Sequence, residues 1–149
     1  MAKAKWRGGK DMHHLQLRVK KRADDMRAQS LLALELSIQE GAEYTQDNLY
    51  AATTRSGEQR VASGRGQFAG RHESGDMIGS VSNEIRNPRS AVIWGVFGWW
   101  GSNFKRYFRD QDQGEGDIPA ARALPQAQVR ARENFRRRMR DVVRGRPVT

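Results

Sequence analysis

The chain has no cysteine, three histidines and only four prolines in 149 residues. Without cysteine there is no disulfide framework, no thiolate zinc site and no cysteine nucleophile. Large aliphatic residues are also scarce. Leu, Ile, Val and Phe together number 27, about 18% of the chain, close to the composition at which a highly charged chain fails to fold alone. Four Trp and three Tyr supply anchors that disordered chains lack. A thin core finished by partner chains is therefore expected. Long hydrophobic runs are missing too. The longest uncharged stretch, Ser90 to Phe104, is interrupted by Gly95, Gly98 and Gly101 and falls short of the roughly 20 apolar residues of a membrane span. The basic start, Met1 to Lys10, runs into charged sequence with no apolar h-region, so neither a secretory signal nor a membrane partner is expected, and synthesis in the cytoplasm is.

What the chain does have is charge. There are 27 Lys plus Arg against 17 Asp plus Glu, a net +10. It is unevenly placed: residues 1–27 hold nine bases and three acids, and residues 120–149 hold nine bases and two acids. The stretch between carries nine bases and twelve acids. Basic ends around a mildly acidic body suit nucleic-acid phosphates, acidic protein neighbours, or simply solvated helix faces.

Apolar periodicity lays out an α+β chain. Residues 1–10 read as a flexible basic arm, with Asp11 as the first helix cap. Met12, Leu15, Val19, Ala23, Met26, Leu31, Leu34, Ile38, Ala42, Leu49 and Ala52 then recur at helical spacing. They predict a helix of about 40 residues, broken near Gly41. At about 60 Å it is longer than a domain of this size can cover. Residues 53–75, rich in Gly and Arg, read as a long loop. Met77 to Arg86 and Ala91 to Trp100 read as two strands turning at Asn87-Pro88, a hairpin. The second strand is apolar on both faces and should be covered on both. A second loop, 102–117, is acidic toward its end. Leu124 to Arg144 is a helix with Leu124, Ala127, Ala131, Phe135, Met139 and Val142 as its stripe, and 145–149 form a tail. The whole reads as a long N-terminal and a C-terminal helix packed on a small antiparallel sheet.

No catalytic constellation emerges. His13 and His14 are neighbours on a helix and point about 100° apart, unlike an i, i+4 metal pair. His72 lacks a partner at ligand spacing. Asp110-x-Asp112 opens like a calcium loop but meets Gly114 and Glu115 where an oxygen ligand and then Gly are needed. The glycines at 64, 66 and 70 match neither dinucleotide nor P-loop spacing. The chain reads as no enzyme and without cofactor, catalytic residue or metal ligand. A basic DNA-binding module using Arg130, Arg136, Arg137, Arg138 and Arg140, with Phe68 or Trp6 stacking on bases, is the alternative. A small metal-dependent nuclease is the more distant one.

Ser74-Gly75-Asp76-Met77-Ile78-Gly79-Ser80-Val81 resembles the "Thr-Gly-x-Leu-x-x-Ser-Ile" signature of the phage head–tail joining (neck, or tail-completion) proteins of long-tailed phages, the group of the lambda minor tail protein Z. Tyr107-Phe108-x-x-Gln111-Asp112-x-Gly114 is similar to that family's "Tyr-x-x-Phe/Tyr-x-Glu-x-Gly", with Asp112 in place of Glu. Ile118 to Ala127 looks like its "Pro-Ala-Arg-Pro-Phe-Leu-x-Pro-Ala" segment. The similarity covers about 30–144, and its joining domain would be 11–144. It departs in the longer Gly/Arg loop and in the aromatic insertion Trp99, Trp100 and Phe104.

The resemblance implies a non-enzymatic virion protein of the neck, an adaptor, stopper, terminator or completion protein. It would form a ring, commonly of six copies, around the DNA channel. Portal, adaptor or stopper proteins would lie on its head side and the tail tube or terminator on the other, with transient DNA contact. Ring contacts are heterologous. Val92, Trp94, Val96, Phe97, Trp99, Trp100, Tyr107 and Phe108 are expected at the subunit interface. Arg65, Phe68, Arg71, Asp110, Asp112, Glu115 and Asp117 are expected to meet neighbouring rings or the lumen. The arginine helix would meet acidic neighbours, such as the 110–117 loop of an adjacent copy.

Overall fold

A computed structural model describes residues 10–62, 76–114 and 120–149. Helix α1 (Lys10–Ala62) is followed by a single turn, α2 (Asp76–Gly79). Strands β1 (Ser82–Arg86) and β2 (Trp94–Gly98) then pair, and a 3₁₀ turn at Gly101–Asn103 leads into α3 (Arg106–Gln113) and α4 (Ala123–Val143). The fold is α+β: two long helices and a two-stranded antiparallel sheet.

Helix α1 runs for 53 residues without a break, about 80 Å at 1.5 Å per residue. The break expected near Gly41 is absent because that glycine serves packing. A Cβ on Gly41 would sit 2.7 Å from the Phe97 ring, and one on Gly95 2.6 Å from Ile38 Cγ2. Two missing side chains thus let β2 lie directly on the helix. Nor does the helix stop at Thr53. No proline precedes Pro88, and Gly57 alone costs about 1 kcal/mol, too little to end an established helix. The loop expected over 53–75 therefore starts no earlier than residue 63, and its remainder lies outside the described residues.

The hairpin is shorter than its apolar pattern. Asp76–Gly79 winds into a turn, with Asp76 O accepting from Ser80 N at 3.0 Å, which sends Met77 into the core. Gly98 (φ +127°) ends β2. Register pairs Ser82 with Gly98, Glu84 with Val96 and Arg86 with Trp94. Helix α1 covers the face carrying Gly95 and Phe97. The opposite face is not covered as expected: Glu84 and Trp94 on it are exposed. Arg27 ties the hairpin loop to α1, donating from Nη2 to Pro88 O at 3.0 Å.

Helix α4 lies antiparallel to the middle of α1, beside β2. Contacts step from Arg130 over the Tyr44 ring (4.4 Å) through Asn134–Glu40 to Arg138–Ser37. The core gathers Ala42, Leu49, Met77, Val81, Phe108 and Ala123, with Ile78, Phe97 and Trp99 packed against it. Residues 102–117 are not one loop, since α3 occupies their middle and turns Phe108 inward.

Candidate functional site

Among the described residues, no group of three or more His, Cys, Asp or Glu side chains is placed to hold a metal ion. A cleft of ≈ 270 Å³ between α1, β2 and α4 is lined by Leu34, Ile38, Val96, Phe97, Ala131 and Phe135, with Arg132 at its edge. No described helix is long and apolar enough to cross a membrane. The features that invite function are surfaces.

One is on α1. Its own chain covers it from about Ala33 to Leu49. Before that, Met12, Leu15, Val19 and Met26 continue the same apolar line yet stay exposed, Leu15 at 54% and Val19 at 61%. By helical phase this line is the one α4 covers further along, at Ala33, Ser37, Glu40 and Tyr44. Helix α4 simply ends before reaching it.

Of the expected subunit-interface residues, Val92, Trp94 and Tyr107 are exposed and Val96 is half-buried. Trp100 is half-buried with the Arg86 guanidinium 5.6 Å from its ring centroid. Phe97 packs on Gly41, and Trp99 donates from Nε1 to Met77 O at 2.8 Å. Phe108 must be corrected. It is fully buried in its own protomer, edge-on to Tyr107 and 5.7 Å from Trp99, so it presents nothing to a neighbour.

Asp112 is a second correction. It is buried, and its Oδ1 accepts from Ala123 N at 2.7 Å and Leu124 N at 3.4 Å. It caps α4 from eleven residues upstream, because the residue in the capping position, Arg122, is left-handed (φ +52°) and offers no side-chain cap. Its backbone carbonyl also accepts from Arg122 N at 2.7 Å. Gly114 (φ +81°) ends α3 and lets the chain turn away, a conformation that favours glycine. Asp110 is half-buried, 3.6 Å from Arg109 Nε. Arg65, Phe68, Arg71, Glu115 and Asp117 lie outside the described residues, as do Trp6 and His72.

Arg138 is the third correction. Unlike Arg130, Arg136, Arg137 and Arg140, which are exposed, it points inward and is 4% exposed. Its guanidinium grips Glu40 with two bonds, Nη1–Oε2 at 2.8 Å and Nη2–Oε1 at 2.5 Å. It also donates to Ser37 Oγ at 3.1 Å and to Thr149 O at 2.9 Å. Hydrogen bonds from Arg138 hold the Glu40 carboxyl below the usual carboxylate range, against burial that works the other way. This arginine is a structural clamp between α1 and α4, unavailable to phosphates or acidic neighbours. On a flank of α4, Phe135, Met139 and Val143 line a shallow groove together with Arg136, Arg140 and Arg144.

Comparison of the chain with known protein families, with curated proteins and with solved structures finds no match.

Proposed function

We propose that the chain is a structural component of the neck of a long-tailed phage virion, forming a ring that joins the head connector to the tail and surrounds the DNA channel. The observation that carries the reading is the uncovered N-terminal part of α1. A helix of 53 residues whose apolar line outruns its own protomer calls for neighbouring copies to finish the packing. The three motifs that resemble those of head–tail joining proteins, in the same order, point the same way, and Asp112 and Gly114 of the second motif have structural work in the fold. Six copies, with connector proteins on one side and the tail tube or terminator on the other, is the assembly proposed. Val92, Trp94 and Tyr107 are the candidates for contact between neighbouring copies.

Negative-stain imaging of the protein alone and mixed with purified tails tests this. Ring-shaped particles and tails capped at one end are expected. A protein that neither oligomerises nor attaches to tails would refute the reading. Trp94→Ala should weaken assembly or tail attachment while the fold, followed by circular dichroism, stays intact.

The exposed arginines of α4 favour one second reading, direct duplex binding by the isolated chain. It predicts tight binding whose affinity falls steeply as salt rises, lost on Arg136→Ala with Arg140→Ala. The neck reading predicts only weak, sequence-independent binding.

A further inference from the structure

Helix α1 is divided by charge. From Met12 to Arg27 it carries five bases (Arg18, Lys20, Lys21, Arg22, Arg27) against Asp24 and Asp25, a net +3. From Ala28 to Thr54 it has no Lys or Arg and four acids, Glu35, Glu40, Glu43 and Asp47. Glu40 is taken by Arg138. Glu35, Glu43 and Asp47 are exposed on the side that neither α4 nor the hairpin touches, beside exposed Leu32 and half-buried Leu36. The same helix therefore offers an apolar stripe with a basic rim and, about 30 Å further along, an apolar strip with an acidic rim.

We infer that the projecting N-terminal part of α1 docks on the acidic outer face of α1 in a second copy of this chain. Met12, Leu15, Val19 and Met26 lie against Leu32 and Leu36, with Arg18, Lys20 and Arg22 facing Glu35, Glu43 and Asp47. Charge selects this occupant over the apolar groove on α4. Phe135, Met139 and Val143 are rimmed by Arg136, Arg140 and Arg144, which would set like charges against Arg18 and Arg22.

Geometry also fixes the kind of contact. At about 100° per residue the basic stripe and the acidic face point roughly a third of a turn apart around one helix. Two straight helices touch along one face each, so the two surfaces cannot both engage the same partner. Each copy gives its stripe to one neighbour and receives the stripe of another. The contact is heterologous and propagates, closing into a ring where the rotation allows. This deepens the ring reading above by naming the surfaces that meet.

The test uses the full chain in sedimentation velocity at low and high salt. Species larger than a dimer that loosen as salt rises are expected. The reversal Arg18→Glu with Lys20→Glu and Arg22→Glu should weaken self-association roughly tenfold or more, as should Glu35→Lys with Glu43→Lys and Asp47→Lys. Combining both reversals in one chain should restore it. Leu15→Asp with Val19→Asp should abolish it, with helicity unchanged in every variant. A wild-type chain that stays monomeric overturns the inference, including one that binds anionic vesicles through residues 12–27. So does a symmetric dimer as the end point, reversals without effect, or a combined variant that fails to associate. A monomeric chain that still completes tails sinks this inference and leaves the neck reading standing. Association that follows the reversals while tails are ignored supports the interface and sinks the neck reading.

Discussion

Asp112 and Arg138 each join two elements far apart in sequence, and each is sensitive to a single change. Removing a cap costs about 0.5–2 kcal/mol, and leaving buried amides unpaired adds to it. Asp112→Ala should therefore lower unfolding free energy by about 2 kcal/mol in urea titration, whereas Asp112→Asn, which keeps an acceptor oxygen, should lose under about 1 kcal/mol. For Glu40 the sign is fixed by its lowered pKa. A carboxyl held low in the folded state contributes stability above the usual carboxylate range and loses it as pH falls through the lowered value. The denaturation midpoint of the wild type should fall faster below about pH 5 than that of Glu40→Gln, whose side chain does not titrate. Arg138 could have been found in the sequence, since Ala131, Phe135 and Val142 step through it at helical spacing. Four bases among residues 136–140 hid which one turns inward. Asp112 carried no such signal, because its role as a cap appears only when α3 and the start of α4 are brought together.

At the scale of elements, β2 meets α1 through glycine. Gly41→Ala would gain up to about 1 kcal/mol of helix propensity but drive a methyl into the Phe97 ring, where overpacking costs about 1–3 kcal/mol. A net loss of about 1–2 kcal/mol in thermal or urea unfolding is expected. In the double variant with Phe97→Leu the loss should be smaller than the sum of the single losses, because the two changes share one contact. Periodicity made α1, the hairpin and α4 legible, with α4 misplaced by a single residue at each end. It missed α3, whose eight residues hold only Tyr107 and Phe108 as large apolar groups. It also ends α1 too early, because the apolar stripe thins before the helix stops. Backbone hydrogen bonding continues without such a stripe wherever nothing interrupts it.

For the molecule as a whole, the proposed assembly would draw on a part of α1 that its own core does not use. The core is built on Ala33 to Leu49, and the first residue of α1 tied to the rest of the described fold by a hydrogen bond is Arg27. Deleting residues 1–25 should change unfolding free energy by less than about 1 kcal/mol while removing self-association, a separation that urea titration and sedimentation together would detect. The thin composition that first suggested a shared core is thus partly explained, since several of its few large apolar residues lie on a surface.

The same arrangement makes α1 a lever. From its tie at Arg27 to Met12 the helix projects about 22 Å, so a tilt of about 10° at the anchored middle swings the tip by about 4 Å. Whatever seats on Val19 is positioned less tightly than what seats on Tyr44. A surface of unbranched and small branched side chains with a loose charged rim tolerates such play, where a set of directed hydrogen bonds would not. The projecting end is thereby suited to reaching a neighbour whose angle varies, and the clamped middle to holding its own protomer rigid.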